Sequence, residues 1–129
     1  MAADFYTGIQ HIGIPTANMN ATVEFYKKLG FELIQEEYLE EAKCKVCFLK
    51  LKNLVIETYD AADAAMKYGA VDHIALDVNN IGAAWDFARK EGFKVLSDDI
   101  VSLPFWSNGI KCFNIEGPNK EKVEFCQIL

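Results

Sequence analysis

Gln10-His11-Ile12-Gly13-Ile14 returns, 62 residues later, as Asp72-His73-Ile74-Ala75-Leu76 in a chain of 129 residues. The correspondence runs on without a gap: Asn18 meets Asn80, Ala21 meets Ala83, Phe25 meets Phe87, Lys28 meets Lys90, and Gly30-Phe31 meets Gly92-Phe93. Positions 10–37 set against 72–99 give 8 identities in 28, which reads as one unit used twice. The offset then drifts to 65, where Cys47-Phe48 meets Cys112-Phe113, and to 67, where Ile56-Glu57 meets Val123-Glu124. The extra residues fall in the turn Gly117-Pro118-Asn119-Lys120, and turns tolerate insertion. The chain has only two histidines, and they occupy the same place in the two copies.

Each copy opens with a short alternating strand, at about 8–14 and 71–77. Asn18 or Asn80 follows, with a side-chain oxygen suited to the first free N–H groups of a helix. Apolar residues then recur at helical spacing, Met19, Val23, Phe25, Tyr26 and Leu29 in one copy and Ile81, Ala84, Trp85 and Ala88 in the other. Gly30 and Gly92 close the helices. Three strands complete each copy, near 31–38, 44–52 and 54–59 and near 93–97, 108–115 and 121–127, with Lys52-Asn53 and Gly117 to Lys120 as turns. The expected fold is α+β: two tandem β-α-β-β-β modules in a single domain over 1–129. Module one spans about 8–59, a linker with a short helix spans 60–70, and module two spans about 71–129.

Alternation sorts the polar residues. Ile12 and Ile14 share one face of the first strand, with His11 on the other; Ile74 and Leu76 likewise lie opposite His73. Leu54 and Ile56 lie opposite Glu57, and Val123 and Phe125 opposite Glu124. The apolar face must meet the helices, so both histidines and both glutamates face away from them. A carboxylate within an apolar strand costs several kcal/mol unless it is paired, bound to a cation or wet. Two imidazoles and two carboxylates suit a divalent ion such as nickel, cobalt, zinc, iron or manganese. Glu57 and Glu124 are also the two candidate bases on that face. Phe105 and Trp106, in a Pro-containing loop, are candidates for a substrate wall.

The rest of the composition excludes several classes. A net charge of −6 without a basic cluster argues against nucleic acid and anionic membranes as partners. No apolar run reaches bilayer length, and Met1-Ala2-Ala3-Asp4 lacks the regions of a signal peptide, so a cytoplasmic protein is expected. Four cysteines then read as reduced thiols. Cys44 and Cys47 form a C-x-x-C, but on a strand positions three apart point to opposite faces and share no metal. Cys112 and Cys126 read as small buried hydrophobes. No P-loop, G-x-S-x-G or dinucleotide fingerprint is present.

Over nearly its whole length the chain resembles the vicinal oxygen chelate superfamily, which includes glyoxalase I, methylmalonyl-CoA epimerase, extradiol dioxygenases, and fosfomycin and bleomycin resistance proteins. The resemblance rests on His11, Phe25-Tyr26, Leu29-Gly30-Phe31, Glu57-Thr58-Tyr59, Val71 to Leu76 and Val123-Glu124-Phe125. It implies an incomplete barrel with helices outside, around a metal that chelates two adjacent substrate oxygens. The order His11, Glu57, His73, Glu124 is similar to the ligand set of bacterial glyoxalase I. That likeness implies a divalent metal (nickel, zinc or cobalt) and conversion of a 2-oxoaldehyde–thiol hemithioacetal to a 2-hydroxyacyl thioester. Glu124 is the base by analogy, with Glu57 as the alternative. It further implies a small-molecule substrate touched by Phe105, Trp106 and Tyr59, and a homodimer, with the four ligands drawn from one chain or from two. Two features depart from the pattern: Pro15 stands where glyoxalase I has an arginine for the glutathione carboxylate, and Glu116-Gly117-Pro118-Asn119 replaces the usual Asp-Pro-Asp-Gly. An acyl-CoA epimerase and a non-catalytic binding or resistance module remain the alternative functions.

Overall fold

The computed structural model describes residues 9–69 and 71–129. Position 8, the Met1 to Asp4 start and Ala70 therefore lie outside the described residues. The chain divides into two compact units at Ala64/Ala65; the first has the expected order of elements, and the second has one strand more.

In the first unit, β1 (Ile12–Thr16) leads into α1 (Met19–Leu29), then β2 (Glu32–Leu39), β3 (Cys44–Leu51) and β4 (Leu54–Asp60). The sheet order is β1-β4-β3-β2, with β1 parallel to β4 and the other pairs antiparallel. The strand begins at Ile12, after His11, and not near 8. Asn18 caps α1 by accepting from the Ala21 N–H, and Gly30 ends it at φ 111°, where a side chain would be strained. A chain of hydroxyls ties strand to helix. The Thr22 hydroxyl donates to the Asn18 carbonyl at 2.9 Å and lies 3.0 Å from the Thr16 oxygen. The Thr16 hydroxyl is therefore the donor between them, while its oxygen accepts the Asn18 N–H at 2.9 Å. The apolar face of α1 covers Cys47, Leu49 and Ile56, all at most 1% exposed, and Tyr26 packs edge-on against Phe25 and Phe31.

In the second unit the elements are β5 (His73–Asp77), α2 (Ile81–Lys90), β6 (Lys94–Val95), β7 (Val101–Leu103), β8 (Ile110–Glu116) and β9 (Lys122–Ile128). β5 lies parallel to β9, which pairs with β8; β6 and β7 both pair with β8. Asn80 repeats the cap, accepting from Ala83 N–H, and Gln127 reaches across from β9 to accept the Ile81 N–H at 2.8 Å. Phe113, fully buried, stacks on Phe125 at 4.8 Å and meets Trp85 of α2 edge-on at 5.1 Å.

Three expectations are corrected. The strand expected over 93–97 is shortened to β6, and β7 is an additional strand beyond that range; together they occupy the edge that β2 occupies unbroken in the first unit. Between them the Leu96 N–H bonds the Asn114 carbonyl at 2.8 Å, and the Ser97 hydroxyl accepts the Asn114 N–H at 3.2 Å. The helix expected in the linker is absent among its described residues. So short a segment gains little from helix formation without a packed face, and its first N–H, from Ala61, is taken by the Thr16 carbonyl. Lastly, the likeness of Cys47-Phe48 to Cys112-Phe113 is out of register by one. Glu57 lies opposite Phe48, whereas Glu124 lies opposite Asn114. A one-residue slip exchanges faces. Cys47 therefore lies under α1, and Cys112 lies on the opposite face of its own sheet.

Candidate functional site

The face that each sheet turns away from its helix carries the expected residues. In the first unit Gly13 and Glu57 are register partners on β1 and β4. A side chain on Gly13 would come within 3.9 Å of both Glu57 Oε1 and the Tyr59 ring, so the glycine leaves room beside the carboxylate. His11 stands just before β1, its ring edge-on to Phe48 at 6.0 Å, with Nε2 4.0 Å from Glu57 Oε1. In the second unit His73 opens β5, and its Nε2 lies 3.6 Å from Glu124 Oε2. The carboxylates are sheltered, with side chains 27% exposed at Glu57 and 15% at Glu124.

The second nitrogen of each ring fixes what the first can do. His11 Nδ1 lies 3.0 Å from Gln10 Oε1, and His73 Nδ1 lies 2.9 Å from Asp72 Oδ2. Both partners are acceptors, so each Nδ1 carries a hydrogen and each ring turns its Nε2 towards its carboxylate. Two lone pairs facing each other at 3.6 and 4.0 Å are unfavourable unless a proton or a cation lies between them. Donors at those separations can both lie about 2.1 Å from one ion. The donor set therefore fits a borderline divalent metal, with the Nδ1 bonds as the supporting contacts such ligands need. Among the described residues, no group of three or more His, Cys, Asp or Glu side chains is assembled; each unit supplies one imidazole and one carboxylate.

The supporting residues differ between units. Asp72 is held by His73 and by Lys122 at 3.3 Å, and these hydrogen bonds lower its pKa. Gln10 is neutral. Beside Glu124 stand three groups that the sequence reading did not place there: Asn114, whose buried Oδ1 has no hydrogen-bond partner among the described residues, and the thiols of Cys112 and Cys126. Burial, with the nearby Glu124 charge, pushes both thiols up. The repeat did carry a signal for the Nδ1 anchors, since Gln10 and Asp72 directly precede the two histidines. No signal marked Asn114, because its side was concealed by the register slip.

Of the expected substrate contacts, Tyr59 lies on the same face as Glu57, two residues along β4. Phe105 and Trp106 stand on the β7–β8 loop, 52% and 68% exposed, with ring centroids 6.4 Å apart. A groove of about 540 Å³ between α1 and the β2–β3 pair of the first unit is lined by Met19, Val23, Lys27, Leu33, Glu36 and Cys47. It lies on the helix side of the sheet and includes none of the candidate ligands. Pro15 sits in β1 and supplies no cation.

With this geometry in view, the comparisons with known proteins place the chain in a class. Residues 8–125 match the model of the Glyoxalase/Bleomycin resistance protein/Dioxygenase superfamily, and the chain belongs to that superfamily. Its members are typically metalloenzymes that use divalent metals. The protein YwbC of Bacillus subtilis (strain 168), described as uncharacterized, is 32% identical over 126 residues, which cover 92% of this chain and 96% of that one. A glyoxalase family protein from Enterococcus faecalis has a similar structure, with TM-score 0.79, 24% identity, and coverage of 95% of this chain and 98% of that one. A genomically encoded fosfomycin resistance protein from Listeria monocytogenes superposes with TM-score 0.75 at 14% identity, covering 97% and 96%. A glyoxalase I variant from Zea mays gives TM-score 0.74 at 15% identity, covering 92% of this chain and 44% of that longer one. At these identities the structural likenesses establish the fold. Among the described residues no helix is long and apolar enough to cross a membrane.

Proposed function

We propose that the protein is a metal-dependent lyase or isomerase of the glyoxalase I type, converting the hemithioacetal of a 2-oxoaldehyde and a thiol to a 2-hydroxyacyl thioester. The observation that carries this reading is the repeated pair: an imidazole anchored at Nδ1, with its Nε2 turned to a glutamate at 4.0 Å in one unit and 3.6 Å in the other. His11, Glu57, His73 and Glu124 would hold one divalent ion (nickel, zinc or cobalt), which takes one pair of each kind. Bound there, the ion supplies Lewis acidity towards two adjacent substrate oxygens.

The protein's own residues do the proton work. Glu124 takes the proton from the carbon that bears oxygen and sulfur, keeps it on a carboxylate oxygen, and delivers it to the neighbouring carbon. Its neighbours are polar, Asn114 and the Cys126 thiol, and such groups can orient a carboxylate that must change its protonation. Glu57, beside Phe48 and His11, acts as a ligand. Tyr59, Phe105 and Trp106 give apolar contact to the substrate. With Pro15 in β1 there is no cation at that position for a glutathione carboxylate, so the thiol is a matter for screening. The two modules work as one vicinal oxygen chelate domain in a cytoplasmic homodimer.

The test begins with metal analysis of the purified protein, then turnover of hemithioacetals made from methylglyoxal and a panel of thiols, with methylmalonyl-CoA alongside. Stoichiometric divalent metal and thioester formation are expected, and Glu124→Gln should abolish turnover while keeping the circular dichroism of the parent. Undiminished turnover in Glu124→Gln would sink the base assignment. Absence of bound metal after growth in nickel, zinc and cobalt would sink the metalloenzyme and leave a binding module.

A further inference from the structure

We propose that Cys112 and Cys126 are a redox-convertible pair, closed to a disulfide across β8 and β9 by a hydroperoxide, on the sheet face that carries Glu124. The two residues are register partners. Hydrogen bonding at both ends of the hairpin decides which kind of partners they are. Gly117 donates to the Glu121 carbonyl at 2.8 Å, and Leu129 donates to the Gly109 carbonyl at 3.0 Å. Both bonds join residues directly opposite one another in the same register, and both involve odd-numbered positions. Bonded and non-bonded pairs alternate along an antiparallel ladder. Even-numbered pairs, 112/126 and 114/124 among them, are therefore the non-hydrogen-bonded kind.

At such pairs the Cα atoms are about 4.5 Å apart and the side chains lie closest. That lies within the range of about 4.4–6.8 Å that a disulfide spans. Both thiols point to one face, so no strand has to move far. Cys44 and Cys47 offer the contrast. They are three apart on β3, one on each face of the sheet, and cannot bridge.

Exposure sets the order of events. Cys126 is partly exposed and Cys112 is only 6% exposed, so Cys126 meets the oxidant first. Its sulfur attacks a peroxide oxygen; the O–O bond breaks, and with hydrogen peroxide the products are a sulfenic acid and water. Cys112 Sγ then attacks that sulfur, loses its proton, and expels the sulfenic oxygen as a second water. Two thiols lose two electrons in total, and one peroxide is reduced. The bridge also fixes the Cys126 sulfur two residues from Glu124 on the same face of β9. Its effect on cation binding rests on the proposed function; the bridge itself does not.

The experiment uses the full chain, reduced and then exposed to hydrogen peroxide, alkylated and digested without reductant. Trypsin separates the pair, because Lys111, Lys120 and Lys122 leave peptides 112–120 and 123–129. The expected result is loss of two of the four thiols, with those two peptides joined and separated again by dithiothreitol. In Cys112→Ser, Cys126 should stop at the sulfenic acid, trapped by dimedone, and Cys44→Ser should bridge as the parent does. Irreversible oxidation of Cys126 in the parent without the joined peptides overturns the proposal, as does a bridge that involves Cys44 or Cys47. Nickel or zinc titration of both forms provides the second readout. Affinity that differs at least threefold between reduced and bridged protein is expected, and equal affinity overturns the link to Glu124. A bridged protein that binds no cation in either form supports the cysteine pair and refutes the metal chemistry instead.

Discussion

Replacing Asp72 by alanine removes the acceptor that holds the hydrogen of His73 on Nδ1, without touching any candidate ligand. The bond is 2.9 Å long and charge-assisted, and Lys122 steadies the carboxylate from 3.3 Å. Asp72 is well exposed, so solvent screens the bond and the loss lies in the lower part of its class. Divalent cation binding should weaken by about 10- to 30-fold, within the span of roughly 10- to 100-fold seen when supporting partners of metal-bound histidines are removed. Gln10→Ala is the internal control, since it removes a neutral acceptor from His11 and should cost less than about 10-fold. Titration calorimetry with zinc or nickel, on protein stripped with chelator, measures both. The reasoning fails if Asp72→Ala binds as tightly as the parent while His73→Ala has lost the cation, because the Nδ1 bond would then contribute nothing to orienting the ring.

Other expectations follow from the packing and the charges. Phe113 is fully buried between Phe125 and Trp85, so Phe113→Ala should cost about 3–5 kcal/mol and Phe113→Leu about 1–3. Urea unfolding with an unchanged slope would show it, and a loss under 0.5 kcal/mol for alanine, well below the ~3 expected, would contradict the packing. Asn18→Ala and Asn80→Ala should each remove about 1 kcal/mol by freeing a helix N–H, measurable as an earlier thermal midpoint. Glu116 accepts from Tyr68, Lys120 and Lys94, and these bonds lower its pKa from 4.5 to about 2. Its folded-state value is thus depressed: the stabilisation is complete above about pH 4.5 and is lost as pH falls towards 2. The thermal midpoints of the parent and Glu116→Gln should therefore differ at pH 6 and converge near pH 2, whereas a constant gap would contradict the assignment.

The fold was readable because the same physics is written twice. Asn18 and Asn80 are caps, Gly30 and Gly92 take positive φ, and the alternation around each histidine and glutamate assigns faces without reference to distant contacts. What stayed hidden depends on partners. The residue opposite a glutamate is set by turn length, and the two-residue turn Lys52-Asn53 differs from the longer Gly117–Glu121 turn. The identity of Cys-Phe in both copies outweighed that difference and concealed Asn114 and Cys112 on the site face. The break between β6 and β7 depends on Ser97 and Leu96 bonding to Asn114, contacts with no local signature. The linker, rich in alanine, favours a helix by propensity, yet its first N–H serves the end of β1.

The alternation that places Glu124 in a non-hydrogen-bonded pair with β8 also directs its own N–H and C=O towards β5, and the bond from Val78 N–H to the Cys126 carbonyl at 3.0 Å shows the even positions of β9 serving that side. Main chain, not loop, therefore sets the spacing between the histidine strand and the glutamate strand. A side-chain substitution at 73 or 124 leaves those backbone bonds in place. Functional losses at these positions can thus be read as missing chemistry, and the Glu124 amide, held in the ladder to β5, should be among the slowest in the second unit to exchange with deuterated solvent.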